Sequence, residues 1–105
     1  MRVRVLHVLD CPSAASLRMR LAEVLADRAD VSVDEQLVED ADAAATMGMR
    51  GSPTLLIDGV DAFAGAGDPP SLSCRLYLDE SGRLSGVPSV AQLRAVLAAA
   101  SQDDG

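Results

Sequence analysis

The first third of the chain carries a strand pattern, a helical pattern and a second strand pattern, in that order. The run from Val3 to Leu9 is almost wholly apolar and rich in β-branched residues, which is typical of a central strand covered on both faces. Apolar residues then recur at helical spacing from Ser13 to Arg28, and Pro12 suits the first helical position, where its missing N–H costs nothing. Apolar and polar residues alternate from Val31 to Leu37. We expect this second strand to run parallel to the first and to complete a right-handed βαβ unit.

The middle of the chain predicts a short helix and two further strands. The segment from Glu39 to Thr46 has acids in its first turn and alanines after them, and Gly48 can cap its end. Thr54 to Ile57 predicts a third strand that is fully apolar. We expect residues 60–71 to form a long loop that acts as a flap. Alternation from Leu72 to Leu78 then predicts a fourth strand with one buried face.

A final helix completes the predicted fold. Ser89 and Gln92 form a capping-box pattern at its start, and apolar residues follow at helical spacing. The elements predict an α/β fold in which a βαβ unit and an antiparallel ββα unit form a four-stranded mixed sheet flanked by three helices. At 105 residues the chain has room for one domain, which we expect over residues 1–100, with residues 101–105 as a polar tail.

The composition limits the classes of partner. The formal charge is −7 at pH 7, which argues against a nucleic-acid partner because that affinity comes mainly from cations that neutralise phosphates. The same charge gives no attraction to an anionic membrane surface. Residues 1–9 are too short for a spanning helix and lack a cleavage site. We therefore expect a cytoplasmic protein with no nucleic-acid or membrane partner, present as a monomer or weak dimer.

The cysteine count limits the chemistry further. Two cysteines are too few for a disulfide-stapled secreted scaffold, and with one histidine they cannot supply the ligands of a structural zinc site. We expect no metal and no resident cofactor.

Cys11 lies where the first strand pattern stops and the first helical pattern begins. At a helix start a thiol lies near unsatisfied backbone N–H groups and the positive end of the helix dipole, which favour the thiolate, the form that attacks disulfides. The alternative is a buried structural thiol, since free cysteines are often fully buried. The position at a junction between strand and helix favours the reactive interpretation.

The order of predicted elements, with Cys11 after the first strand and Ser52-Pro53-Thr54 before the third, resembles the thioredoxin-like superfamily over almost the whole chain. The resemblance implies a sheet ordered second, first, third, fourth strand, and a cis peptide bond that places Pro53 opposite Cys11. It also implies that the backbone of Ser52 hydrogen-bonds an extended peptide or a glutathione-type ligand, and that Cys11 forms a mixed disulfide. Because Ala14 replaces the second cysteine of a Cys-x-x-Cys pair, the chain resembles monothiol glutaredoxin-like members, which need an outside thiol.

Thiol–disulfide exchange by Cys11 is therefore the leading hypothesis. The implied partner is a thiol-containing small molecule, such as glutathione as co-substrate, or a thiol-containing protein. The candidate ligand contacts are Pro12, Arg50, Ser52, Pro53 and Thr54. Arg50 has two interpretations of equal weight, a solvated loop cation and a cation that acts beside the thiolate or on a ligand carboxylate.

Cys74 is the second thiol. It shares the apolar face of the fourth predicted strand with Leu76 and Leu78, which favours a small core hydrophobe over a redox role. Antiparallel pairing with the third strand would place Cys74 several residues from Cys11, at ~3.3 Å each, whereas a disulfide needs Cα atoms within roughly 7 Å. A bridge would then require residues 60–71 to distort the strand.

Two other function classes stay open. One is a binding module that kept the fold and lost turnover, which the missing second active-site cysteine favours. The other is organomercurial or metal-thiolate chemistry that uses Cys11, Cys74 and Asp10. The chain is similar to small bacterial thioredoxin-like proteins with a Gly-Ser-Pro-Thr-Leu-Leu-x-Asp-Gly run and a Ser-Cys-Arg-Leu-Tyr strand, here residues 51–59 and 73–77, and some of these carry an organomercurial lyase label.

Overall fold

The structure, a computed structural model, describes residues 1–63 and 69–103. Its helices are α1 (Pro12–Val24), α2 (Ala41–Met47) and α3 (Val90–Asp103). Its strands are β1 (Arg2–His7), β2 (Ser32–Leu37), β3 (Arg50–Ser52), β4 (Thr54–Ile57), β5 (Val60–Asp61), β6 (Ser71–Cys74), β7 (Tyr77–Leu78) and β8 (Leu84–Ser85). The flap expected within residues 60–71 lies partly outside the described residues.

The main sheet has four strands in the order β2, β1, β4, β5. β1 runs parallel to β2 and antiparallel to β4, so the predicted mixed sheet, the parallel pairing of the first two strands and the central position of the first are confirmed. Apolar clusters cover both faces of β1, in which Val3, Val5 and Leu6 are fully buried, while Arg2 and Arg4 at its start donate to Asp34.

Two separate apolar clusters cover the two faces of this sheet. Side chains of α1 and α3 pack on Val3, Val5, Leu55 and Ile57 from one side. Val38, Ala44 and Met49, which lie in or next to α2, pack with Leu6 and Leu56 on the other side, and Leu72 of β6 joins them. Alternate residues of β1 and β4 therefore serve opposite clusters, as the period of a strand requires.

The fourth strand of the sheet is not the predicted one. Asp58 and Gly59 have positive φ values of 50° and 85°, and this turn returns the chain at once so that Val60 pairs with Ile57 in β5. The expectation of a loop from residue 60 onward is therefore wrong at its start. The predicted strand from 72 to 78 is also wrong, because β6 ends at Cys74 and pairs with β3, while β7 pairs with β8.

The end of α2 and the start of α3 follow their sequence signals, whereas α1 ends at Val24, four residues before the predicted limit at Arg28. Gly48, at φ 79°, caps α2 in the left-handed conformation. The Gln92 amide N–H donates to Ser89 Oγ at 3.1 Å and Gln92 Oε1 accepts from the Ser89 amide at 2.9 Å, which confirms the capping box. α3 continues to Asp103, so residues 101–103 are helical rather than part of a tail.

Candidate functional site

Cys11 is the N-cap residue of α1. β1 ends at His7, a turn with Asp10 at φ 59° follows, and the helix begins at Pro12. Cys11 has extended backbone angles, φ −80° and ψ 108°, and its carbonyl oxygen accepts from the Ala14 amide at 3.2 Å. The thiol is free and partly exposed. The helix start therefore presents this sulfur, rather than burying it in the apolar core.

The Ser52–Pro53 peptide bond, which joins β3 to β4, is cis, as the resemblance implied. Ser52 Oγ accepts from the Val8 amide at 3.1 Å, which ties this segment to the end of the strand that leads to Cys11. The backbone of Ser52 was expected to hydrogen-bond a ligand, but its carbonyl accepts from the Arg75 amide at 3.0 Å. Ser52 is 2% exposed and Pro53 is also buried. The expected docking edge is therefore covered by the chain itself.

The other candidate contacts have different surroundings. Thr54 is fully buried, and its hydroxyl donates to the Gly51 carbonyl at 2.6 Å and accepts from the Arg50 amide at 3.1 Å. It therefore holds the turn between β3 and β4 and presents no surface to a ligand. Pro12 is exposed beside Cys11 at the start of α1. Arg50 lies in β3 with Nη1 3.6 Å from Asp61 Oδ2.

Cys74 is exposed, so its expected place in an apolar core is wrong. Leu76 and Leu78, expected to share its buried face, are 62% and 61% exposed, whereas Tyr77 is buried. The reason is that the chain leaves β6 after Cys74, and the alternation of the sequence does not continue through one strand. Cys74 is the register partner of Ser52 in the parallel pair of β3 and β6. It therefore lies beside the segment that carries Pro53.

A polar cluster behind Pro53, formed by Thr54, Asp61, Arg75 and Tyr77, was not predicted from the sequence. Asp61 Oδ2 accepts from Arg75 Nη1 at 2.8 Å, with the two side chains 1% and 9% exposed. Arg75 Nη1 also lies 3.3 Å from Thr54 Oγ1, and Nη2 donates to the Phe63 carbonyl at 2.9 Å. Every donor of this buried guanidinium that points inward therefore has an acceptor, as burial of a charge requires.

Tyr77 connects the polar cluster to Pro53. Its hydroxyl donates to the Pro53 carbonyl at 2.5 Å, its ring meets Phe63 edge to face at 5.3 Å, and the Arg75 guanidinium lies 4.9 Å from the ring centre. Burial raises the pKa of Tyr77 above its ordinary value, Arg75 opposes the rise, and the charges of Asp61 and Cys11 add to it. Tyr77 therefore links the polar cluster to the carbonyl of Pro53.

An open groove of about 350 Å³ adjoins the segment that leads into Cys11. It is lined by Val8, Leu9, Val38, Glu39 and Leu72. Leu9 is 74% exposed, which leaves an apolar side chain on the surface two positions before the thiol. The volume of the groove lies at the lower end of the range usual for small-molecule sites.

Two absences apply to the described residues, 1–63 and 69–103. No group of three or more His, Cys, Asp or Glu side chains there is arranged to hold a metal ion, and Asp10, Cys11 and Cys74 do not form one. No helix within these ranges has both the length and the apolarity that a membrane crossing requires.

Comparison with known proteins assigns no family. A scan against protein-family models, a search of curated proteins and a search of solved structures each found no match.

Proposed function

We propose that this protein is a thioredoxin-like thiol–disulfide exchange protein in which Cys11 is the nucleophile. The observation that carries the proposal is the position of a free, partly exposed thiol at the N-cap of α1, three residues after Val8, whose amide donates to Ser52 Oγ. The mixed sheet with three helices is compatible with that class of fold.

The helix start favours the form of the thiol that exchange needs. The positive end of the helix dipole favours a thiolate at this position, while the Cys11 side chain makes no capping hydrogen bond in the structure. The thiolate attacks one sulfur of a disulfide R–S–S–R, a Cys11–S–S–R mixed disulfide forms, and R–S⁻ leaves and takes a proton from water. An outside thiol such as glutathione then attacks the mixed disulfide and restores Cys11.

The surroundings of the thiol favour a disulfide with apolar groups near its sulfur atoms. Leu9 and the groove beside it offer apolar surface on the side of β1. Pro12 offers a second exposed apolar side chain at the start of the helix. A glutathione-type disulfide or a flexible peptide fits this open site, since neither requires a deep enclosed cavity.

A binding module without turnover is the second candidate. Ala14, which stands where a Cys-x-x-Cys pair has its second cysteine, favours this candidate. In either candidate, a guest that pairs with the Ser52 carbonyl must first displace the Arg75 amide. The two candidates differ in whether Cys11 exchanges disulfides in the folded protein.

A comparison of the reaction rates of the two thiols, each in a variant that lacks the other, tests the proposal. Cys74→Ser leaves only Cys11, and Cys11→Ser leaves only Cys74, which is the more exposed sulfur. Each variant is mixed with oxidised glutathione at neutral pH, and the glutathione adduct is followed by mass spectrometry. We expect the Cys74→Ser variant to react faster, because only Cys11 lies at a helix start.

Unfolding supplies the control for this experiment. In concentrated urea both variants should react at similar rates, since the helix no longer assists Cys11. A folded Cys74→Ser variant that gains no adduct, or that reacts no faster than its unfolded form, would remove the exchange function and leave the binding module.

A further inference from the structure

Strand β6 pairs with the edge of β3 at which the proposed function would have a ligand bind. The Arg75 amide, directly after β6, donates to the Ser52 carbonyl at 3.0 Å, and β6 pairs in parallel with β3. This is the kind of backbone pairing by which an extended peptide binds to a strand edge. The chain thus places its own strand where a guest peptide would lie.

The close approach of β6 depends on Gly51. This residue has φ +112°, and a Cβ atom there would lie 2.8 Å from Arg75 Cβ and 3.2 Å from the Ser73 carbonyl oxygen. Real side chains do not tolerate such distances, so glycine lets the two backbones meet. The arrangement is therefore specified by the sequence at this position.

Cys74 shares a strand face with Ser52. The two residues are register partners in the parallel pair of β3 and β6, and side chains of register partners lie on the same face. Ser52 Oγ accepts from the Val8 amide at 3.1 Å, three residues before Cys11. The face of β6 that carries Cys74 is therefore directed towards the segment that leads into Cys11.

We propose that Cys74 is the resolving thiol of Cys11, so that the protein completes exchange with two cysteines on different elements. This inference rests on the proposed function. The Cys74 thiolate attacks the Cys11 sulfur of the mixed disulfide, a Cys11–Cys74 disulfide forms, and R–S⁻ leaves and takes a proton. In total, two protein thiols are oxidised and one low-molecular-weight disulfide is reduced to two thiols.

The position of β6 in the fold suits this step. A disulfide needs Cα atoms within about 7 Å. β6 belongs to a two-stranded pair with β3 and not to the four-stranded sheet, and the pairing register shifts between Arg50 and Ser52. Adjustment of β6 towards Cys11 therefore leaves the hydrogen bonds of the main sheet intact. The product disulfide adds a covalent link to the backbone contact that already holds β6 over Ser52 when both thiols are free.

Oxidation of the wild type and the Cys74→Ser variant by oxidised glutathione tests the inference. We expect the wild type to lose two hydrogens and carry no glutathione, while Cys74→Ser retains a mixed disulfide at Cys11. The adduct on the wild type should stay below about a tenth of that on the variant, because a tethered thiol has an effective concentration on the order of mM. Trypsin should release residues 5–18 linked to residues 51–75.

The outcomes separate the two claims. A wild type that accumulates the Cys11 adduct as fully as Cys74→Ser, or that gains glutathione on both cysteines, overturns the inference and leaves the proposed function standing. Failure of Cys74→Ser to form any adduct at Cys11 overturns both. A bond that forms only between two chains, detected by its loss on dilution, also overturns the inference.

A displaced thiol provides the matched control. The double variant Ser73→Cys, Cys74→Ser moves the sulfur one position along β6 and onto its opposite face. We expect it to behave like Cys74→Ser and to retain the mixed disulfide. Resolution by the displaced thiol as fast as in the wild type would show that any nearby cysteine suffices, which contradicts the assigned geometry.

Discussion

The apolar core of the sheet and the polar cluster behind Pro53 support the same segment in different ways. The core surrounds β4 with apolar side chains from two clusters, and such contacts have no required direction. The polar cluster instead depends on directed contacts, chiefly the pair of Arg75 and Asp61 and the bond from Tyr77 to Pro53. A core position can thus lose part of its contacts, whereas each member of the polar cluster leaves a buried partner unsatisfied when it is removed.

Among the substitutions that test this difference, removal of the Arg75 charge should cause the largest loss of unfolding free energy. Arg75→Met keeps a long side chain but leaves the Asp61 carboxylate, 1% exposed, without its closest cation. Breaking one side of a buried ion pair costs about 3 to 5 kcal/mol of unfolding free energy. Urea unfolding followed by circular dichroism measures the loss. Arg75→Lys, which retains the charge, gives a smaller loss and a reference if Arg75→Met does not fold.

An exposed arginine supplies the control for that measurement. Arg18 Nη1 donates to both carboxylate oxygens of Glu35, at 2.6 and 2.8 Å, but its side chain is 48% exposed. Arg18→Met should cost only about 0 to 1 kcal/mol, because water and salt screen such a pair. Equal losses in Arg18→Met and Arg75→Met would mean that the polar cluster does not differ from the surface.

The same contrast explains which parts of the fold the sequence could predict. β1 and β4 are rich in apolar residues, and the three helices carry periodic stripes or caps, so these elements have local signals. β5 has only two residues, Val60 and Asp61, which is too short to display a period. The pairing of Asp61 with Arg75 joins residues distant in sequence through one contact, and no local pattern encodes it.

Prediction of the candidate site was limited for a related reason. The position of Cys11 at a helix start follows from the change of pattern around it, and the structure has it there. The alternation from Leu72 to Leu78 indicated one strand with Cys74 inside. Arg75 changes that outcome, because its charge must reach Asp61 and its amide bonds to Ser52, which ends β6 at Cys74. The alternation is present in the sequence, but tertiary contacts prevent these residues from forming one strand.

Deletion of the Tyr77 hydroxyl should have an intermediate effect. Tyr77→Phe keeps the ring contact with Phe63 but leaves the Pro53 carbonyl without this donor. An unsatisfied buried acceptor costs about 1 to 3 kcal/mol, which urea unfolding measures. A change within error would show that the hydroxyl does not support the segment that carries Pro53.

The pH dependence of the same residue gives an independent check. Burial raises the pKa of Tyr77, so its contribution to stability is complete below the unfolded value of about 10 and is lost as the pH rises through the higher folded value. Tyr77 is the single tyrosine of the chain, so phenolate absorbance reports on it alone. The folded protein should ionise at higher pH than the urea-unfolded one, and Tyr77→Phe should lack the signal. Coincident curves would contradict the burial.

Substitution of exposed carboxylates should have the smallest effect on stability, and that effect should depend on pH. Arg28 Nε and Nη2 donate to the two carboxylate oxygens of Asp30 at 3.0 Å each, and these bonds hold the pKa of Asp30 at about 2. Hydrogen bonds from Arg4 and Arg2 likewise lower the pKa of Asp34. A folded pKa below the unfolded value of about 3.9 adds stability that is present above that value and is lost as the pH falls towards about 2.

Asp30→Asn tests the acid dependence of this surface ion pair. We expect the urea midpoint of the wild type to fall between pH 4 and pH 2, and the variant to show a shallower fall, because one depressed carboxyl no longer takes up a proton on unfolding. At pH 7 the variant should have the lower midpoint, by a margin that screening keeps small because the pair is exposed, and the two midpoints should converge as the pH falls towards 2. Arg28→Met, which removes the partner instead, should flatten the acid limb in the same way. An acid limb of unchanged slope in both variants would show that this surface pair adds nothing to the stability that the core and the polar cluster provide.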